Sequence, residues 1–359
     1  MIILKTKFYI IICIMTTNIV DAQTTLSANG EGNTYEEINA ILAPGHNAVE
    51  VPDCAHQGFG RHIKEVFDEE LNTYVFEFTV HVTPDNDRCK KFDRQRIEIK
   101  TYDPSPDILK ATYGETVEYQ WKFKLPRNFR VSKSFTHLHQ IKSVGGPYAS
   151  MPMVTLTARN GKDYDKLEVR VTATNNQRTI LEEDLNLLRG SWVSVKETIH
   201  FSDEGSYAIE INRIDNNINR LKYNDKSIDM WQNGAKFARP KWGIYRSLKQ
   251  AEDLKDEQVL FNDFRIEEVL QPKTLDLNNL APNQPKLING SLKTIEFDFI
   301  HKKDYDKIKL YDAKENELSI NERVLKQSFD TSNLNEGLYY LVFFKDETPV
   351  KVMKYLILN

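Results

Sequence analysis

Seven runs of this chain alternate apolar and polar side chains with a period of two, and that pattern excludes most folds at once. The runs are Tyr74–Val82, Arg96–Tyr102, Glu118–Leu125, Met153–Arg159, Leu167–Ala173, Ser191–Phe201 and Tyr207–Arg213. Successive side chains of a strand point to opposite faces, so period two marks strands with one buried side. Turn signals separate them, among them Pro84–Asp87, Asn160-Gly161 and Asp203–Gly205. Many short strands with little helix imply an all-β fold, two sheets stacked as a jelly-roll sandwich. Helical periodicity is confined to Tyr35–Leu42 and Ile180–Leu188.

The chain divides by composition. Lys5 and Lys7, the apolar run Phe8–Met15 and the small residues before Gln23 read as a secretory signal peptide over residues 1–22. The run is too short to span a bilayer, and no later segment is apolar enough to do so. Residues 23–269 carry the alternating runs. Residues 270–291, with Pro272, Pro282, Pro285 and Gly290, read as a linker, and residues 292–359 as a small β-sandwich built from Thr294–Phe299, Lys307–Asp312, Gly337–Phe344 and Val350–Ile357. Cys13 leaves with the signal. In an exported protein without a C-x-x-C pair, Cys54 and Cys89 point to a disulfide rather than a metal site.

With 48 Lys and Arg against 52 Asp and Glu the net charge is −4. No global basic field invites nucleic acid, so cations that matter must be local. The chain is expected to act as a monomer.

Three strand segments place ionisable groups among apolar ones. In Arg94–Lys100 the alternation puts Arg94, Arg96, Glu98 and Lys100 on one face and Ile97 and Ile99 on the other. That face is either solvated or the lining of an anion-binding cleft in which Glu98 orients the arginines. In Phe135–Lys142, strict alternation separates His137 and His139 from Gln140 and Lys142, and only a bulge or strand end would bring them together. One histidine reads as a core residue, with His139 the better candidate. A single His-x-His is weak evidence for zinc, and no metal is expected. In Lys241–Arg246, Lys241, Gly243 and Tyr245 share one face, and Trp242, Ile244 and Arg246 the other. Gly243 leaves room for a ligand to approach the backbone. Cations near a tyrosine favour the phenolate that a base requires.

Together these segments resemble the jelly-roll polysaccharide lyases, whose fold is concanavalin-like. Arg96–Lys100 is similar to their R-x-E-x-R strand, Gln140–Lys142 stands where they carry Q-x-H, and Lys241–Tyr245 matches their K-x-G-x-Y strand. Lys142 departs from the pattern by replacing the usual histidine. The stretch from Val49–His56 through Asp93–Arg96 and Trp121–Lys124 to Lys241–Arg246 looks most like the family 28 ulvan lyases of marine Bacteroidetes, over about residues 35–268. Near the end, Asp330–Leu334, Glu336–Val342 and a lysine-bearing last strand resemble the sorting domain of the type IX secretion system.

The resemblance implies a secreted, endo-acting lyase, released or surface-attached, that cleaves an anionic algal polysaccharide by β-elimination. Arg96 and Gln140 would hold the uronate carboxylate, Tyr245 would move the proton and His137 would assist, with His139 and Lys142 as alternatives for that last role. Substrate contacts would come from Arg94, Lys142, His139, Lys241, Arg159 and Arg246, with Arg94 placed for a sulfate on a neighbouring sugar. H5 and O4 lie on one face of a glucuronate, so a single residue can serve both; in iduronate they lie on opposite faces, and His137 would be the second group. No cofactor is required, and the sequence does not indicate a structural calcium. Two other readings stand beside this one: an alginate or glucuronan lyase, and a non-catalytic carbohydrate-binding jelly roll with exposed aromatic platforms. A hydrolase is disfavoured, because no two carboxylates stand out on facing strands. For the C-terminal part the alternative is a small carbohydrate-binding module that uses Tyr305 and Tyr311.

Overall fold

The computed structural model describes residues 23–30, 32–215, 218–269, 285–289, 294–296, 305–314, 316–318, 328–330, 334–345 and 348–358. The expected signal peptide and most of the expected linker lie outside these residues. The chain separates into two compact units, with the division between Leu270 and Gln271.

In chain order the first unit contains β1 (Gln23–Leu26), α1 (Thr34–Leu42), β2 (Val49–Glu50), β3 (Ile63–Asp68), β4 (Thr73–Val80), β5 (Arg94–Lys100), β6 (Thr116–Lys124), β7 (Thr136–Val144), β8 (Val154–Asn160), β9 (Asp165–Val171) and β10 (Arg178–Asp184). It continues with β11 (Trp192–His200), β12 (Ser206–Arg213), β13 (Ile218–Asp225), β14 (Phe237–Ser247) and β15 (Glu257–Glu268). One antiparallel sheet runs β13-β12-β11-β6-β15-β4-β3, with β1 also on β15; the other runs β10-β9-β8-β7-β14-β5-β2. Neighbours far apart in sequence are adjacent in both sheets, as expected of a jelly roll.

Alternation fixes how the sheets meet. In β6, Val117, Tyr119, Trp121 and Phe123 turn inward while Glu118, Gln120, Lys122 and Lys124 turn out. From the facing sheet, Trp242 of β14 packs with its ring 6.2 Å from that of Trp121 and 6.5 Å from that of Tyr119. A buried tryptophan removes up to about 250 Å² from water, worth about 6 kcal/mol at about 25 cal/mol per Å². A one-residue slip of β6 would exchange those rings for charged side chains, so the register is strongly held.

The expected helix at Tyr35–Leu42 is α1, which buries Ile38 and Leu42. The second expected helix is not one. Ile180–Leu188 comprises most of β10 and a single 3-10 turn, Leu185–Leu187, whose first residues are capped by the Asp184 side chain accepting from the Asn186 N–H. β10 pairs Thr179 with Arg170 and Leu181 with Val169, leaving Ile180 as an extra residue. That bulge breaks the period-two pattern and gives the segment its helical look. Cys54 and Cys89 form the expected disulfide.

In the second unit, β16 (Lys286–Asn289), β18 (Lys307–Asp312), β19 (Glu317–Leu318), β21 (Gly337–Lys345) and β22 (Thr348–Leu358) form a sheet in the order β16-β22-β21-β18-β19, while β17 (Thr294–Glu296) pairs with β20 (Ser328–Asp330). Residues 286–289, expected in the linker, thus belong to a sheet, paired parallel to β22. Tyr305 is buried with Leu341, Phe343 and Tyr355, and Tyr311 packs against Tyr340 and Val342. Neither is an exposed platform for stacking a sugar.

Candidate active site

The outer face of the second sheet forms a cleft of about 600 Å³ centred on β14 and its neighbours β5 and β7. From β14, Arg239, Lys241 and Tyr245 line it, while Trp242 and Ile244 enter the core. From β5 come Arg94, Arg96 and Lys100. β7 contributes through a bulge. His137 pairs with Thr157 and His139 with Leu156, so Leu138 is supernumerary. Leu138 and His139 both turn inward, and His137, Gln140 and Lys142 all reach the cleft.

The floor is a charge network around two buried carboxylates. Glu98 accepts from Arg96 Nη1, Lys241 Nζ and Gln140 Nε2. Glu50 accepts from Lys241, from Arg88 and, at 2.8 Å, from Lys100. Asp87 takes Arg96 Nε at 3.0 Å and Arg88 Nε at 2.7 Å. Burial alone would push both glutamates up; the charges of Lys241 and Arg96 outweigh it and hold both below the usual carboxylate range. Arg96 is thereby fixed on two of its nitrogens, and among the described residues Nη2 has no hydrogen-bond partner. The Arg239 Nε and Nη1 are buried and unpartnered among the same residues.

Tyr245 sits among these cations. Arg94 Nη1 donates to its hydroxyl at 3.0 Å, and the Arg96 guanidinium lies over its ring. His137 stacks on Phe135, with ring centroids 4.7 Å apart, and its ring centroid is 5.9 Å from that of Tyr245. Burial, then the charges of Arg159, Lys142, Arg96 and Arg170, push the imidazole well below its usual range, so it is neutral near pH 7. Its Nδ1 has no partner among the described residues. Lys142 donates to the Ser150 carbonyl at 3.0 Å and is pushed down to about 7 by burial and by Lys241, Arg239 and Arg96. Arg159 also lines the cleft, with Nε 3.5 Å from Glu168.

Four expectations need correction. His139 is no substrate contact: it is buried, its Nε2 lies 3.0 Å from Glu197 and its ring packs on Trp121 and Trp242. Arg246 points away from the cleft and donates to Gln95 Oε1 and to the Lys255 carbonyl. Lys241 is 2 % exposed, its ammonium already held between Glu50 and Glu98, so it shapes the floor rather than meeting substrate. Gly243 makes room for a strand, not a ligand. With φ +139, a Cβ there would lie 2.1 Å from the Ile97 carbonyl oxygen on β5.

Sequence reasoning missed Glu50, Asp87, Arg88 and Arg239. Arg239 carried a signal, being two residues before Lys241 on the same face. Glu50 lies in a two-residue strand and Asp87 and Arg88 in a turn, where periodicity gives no face. A larger hollow of about 710 Å³ exists elsewhere, but Glu70, Glu77, Asp256 and Glu257 line it against Lys124, Arg127 and Lys255. That balance does not suit an anion.

No curated protein matches this chain. Among solved structures, the endo-β-1,4-glucuronan lyase of the fungus Trichoderma reesei aligns at 14% identity and a TM-score of 0.41, covering 58% of this chain and 87% of that one. A marine alginate lyase of family 14 from Aplysia kurodai aligns at 11% identity and a TM-score of 0.47, covering 68% and 98% respectively. The family profile described as polysaccharide lyase matches residues 64–265, a span from β3 into β15 that contains the whole of β5, β7 and β14. That match makes the chain a lyase rather than a purely carbohydrate-binding module: the chain belongs to the polysaccharide lyase family.

Proposed function

We propose that the chain is a secreted, endo-acting ulvan lyase of the family 28 type, cleaving a sulfated rhamnose–uronate polysaccharide by β-elimination at its 4-linked uronate. The surplus of cations in the cleft carries this reading. Eight lysines and arginines line it, against the single carboxylate of Glu50. Asp87, Asp93, Glu98 and Glu168, which pair with those cations, raise the opposing charge to five. One uronate carboxylate does not use what remains; a chain that also bears sulfates does. Arg239 lines the cleft without an ion pair among the described residues.

A uronate C5 proton becomes removable once its carboxylate is neutralised by positioned donors, the kind of preorganised contact that is usually the largest catalytic term. Arg96 supplies one through its remaining Nη2, and Gln140 the other through the second N–H of the amide that also donates to Glu98. Tyr245 removes the proton from C5 and protonates O4 as the C4–O4 bond breaks, leaving a C4–C5 double bond in the new chain end. For iduronate, neutral His137 takes the base role from the other face. Export is assigned to the signal peptide over 1–22 and to a type IX sorting function of 292–359.

The test is incubation with ulvan, desulfated ulvan, alginate and glucuronan while following absorbance near about 235 nm, where the unsaturated uronate formed by this acid/base route absorbs. Ulvan is expected to give the fastest rise. Faster cleavage of alginate or glucuronan, or equal cleavage of desulfated ulvan, would replace ulvan as the substrate.

A further inference from the structure

Away from the cleft, three of the chain's eight histidines converge on one carboxylate. His56 comes from the loop after β2, His62 from the residue before β3 and His81 from the residue after β4; they surround Asp85. His56 Nδ1 and His62 Nε2 each lie 3.1 Å from Asp85 Oδ1, and His81 Nδ1 lies 3.1 Å from Oδ2. The four ligand atoms all fall within 4.8 Å of one another. A tetrahedral zinc ion with bonds of about 2.0–2.1 Å holds its ligand atoms about 3.3 Å apart, close to the separations of His56 Nδ1 and His62 Nε2 from Asp85 Oδ1.

His62 stands between two carboxylates. His62 sets a carboxylate against each ring nitrogen: Asp53 Oδ1 at 2.6 Å from Nδ1 and Asp85 Oδ1 at 3.1 Å from Nε2. Without an ion, only a doubly protonated imidazolium donates to both, because a neutral imidazole has one N–H. With an ion, a neutral His62 donates Nδ1–H to Asp53 and gives its Nε2 lone pair to the metal. Such a carboxylate–histidine–metal relay is the usual support of a metal-bound imidazole. Asp53 is itself held by the Tyr35 hydroxyl at 3.0 Å, and that hydroxyl accepts the His62 backbone N–H at 2.9 Å.

We propose that His56, His62, His81 and Asp85 form a four-coordinate zinc(II) site with a structural role, independent of which polysaccharide the cleft takes. Three imidazoles and one carboxylate suit zinc, whereas calcium takes six to eight oxygens. Four protein ligands leave no open position for water activation, which separates this site from catalysis. Its effect reaches the cleft through the turn that follows Asp85. The Asp85 carbonyl accepts from Gln95 Nε2 at 3.0 Å, the Asn86 carbonyl accepts the Arg96 N–H at 3.4 Å, and the Asp87 carboxylate holds Arg96 Nε. With the Cys54–Cys89 disulfide, the ion ties the loop after β2 to the turn that sets Arg96. The expectation of no metal rested on the His137–His139 pair. The four ligands here are separated by five, eighteen and three residues and form no compact motif.

The purified protein, prepared without a histidine tag, is to be stripped with a chelator and titrated with zinc(II) or cobalt(II). The expected result is one equivalent bound per chain, the intense visible absorption of a tetrahedral cobalt centre, and a thermal midpoint that falls by about 5–10 °C on stripping and recovers with zinc. His56, the most exposed of the three histidines, gives the first variant: His56→Ala should lose the equivalent. Asp53→Asn leaves all four ligands in place and should weaken zinc binding about 10–100-fold. No bound equivalent, a midpoint indifferent to chelator and zinc, or zinc binding unchanged in both variants would overturn the site.

Discussion

The Tyr245 hydroxyl accepts a hydrogen bond from Arg94 Nη1 at 3.0 Å, while the Arg96 guanidinium lies 3.7 Å from the centre of the same ring. One cation addresses the oxygen that moves the proton, and the other addresses the π face beneath it. Arg94 is itself steadied by Asp93, which takes its Nε at 2.7 Å and its Nη2 at 2.6 Å. The arginine expected to hold a sulfate on a neighbouring sugar is therefore turned toward the proposed acid/base group.

Tyr245→Phe keeps the packing against Phe135 and Arg96 and removes only the hydroxyl. Turnover should fall about a hundredfold or more, the usual scale for an acid/base group, with substrate binding retained. Arg94→Ala should lower kcat more than it raises KM, because its contact is with the catalyst. Steady-state kinetics at two ionic strengths checks both. An Arg94→Ala effect confined to KM, shrinking as salt rises, would return Arg94 to sulfate binding.

His137 is the candidate second group for a substrate whose H5 and O4 lie on opposite faces. His137→Ala should abolish cleavage at iduronate and spare cleavage at glucuronate, which product analysis on ulvan resolves. Equal loss at both sites would mean that His137 only packs Phe135 against Tyr245. A stability signature should accompany this. Folding depresses the imidazole far below its unfolded value near 6.5, so the unfolded state takes up the proton first. The wild-type protein should lose stability as pH falls below about 6.5, and the variant should lose less.

The sandwich was legible because burial enforces alternation: β6, β11 and β12 read from sequence almost as they fold. The site was legible in its residues but not in its geometry. Period two separates His137 from Gln140 and Lys142, and only the extra residue Leu138 unites them. Nothing in the sequence announces that bulge. Arg246 is a different case: its place beside Tyr245 suggested a cleft residue, although strand parity already put it behind. Contacts between distant turns escaped altogether, since Glu50 meets Lys241 across 191 positions and His56 meets Asp85 across 29.

Lys142 ties substrate affinity to pH. Burial and the neighbouring Lys241, Arg239 and Arg96 bring its free-state value down to about 7, with Glu98 pulling the other way. A bound carboxylate or sulfate favours the ammonium and raises that value, so binding takes up a proton in the window above pH 7. Affinity should be highest below about pH 7 and decline as pH rises through it. Calorimetry of oligosaccharide binding in buffers of different ionisation enthalpy measures the uptake. In Lys142→Met it should disappear; uptake that persists belongs to another group.

Gly243 sits where β14 passes closest to β5. Gly243→Ala places a methyl against the Ile97 carbonyl in a backbone region that L residues avoid. The expected cost is on the order of 3 kcal/mol, read from denaturant unfolding. A loss below about 0.5 kcal/mol, the level of an ordinary surface change, would show that the two strands can part freely.

Glu98 gathers Arg96, Lys241 and Gln140 without being exposed itself. Glu98→Gln preserves shape and removes the charge, leaving buried cations under-compensated. Breaking one side of such a pair typically costs about 3–5 kcal/mol, because the partner stays charged and desolvated. Lys241 still has Glu50, so the cost should fall mainly on Arg96, whose loosening would also reduce turnover. Adding Lys241→Met removes part of the excess positive charge. The double variant should therefore be less destabilised than the sum of the singles, with a coupling of about 0.5–3 kcal/mol. Strict additivity in the cycle would mean that Glu98 does not organise the floor, and that Asp87 and Glu50 suffice to hold Arg96 beneath Tyr245.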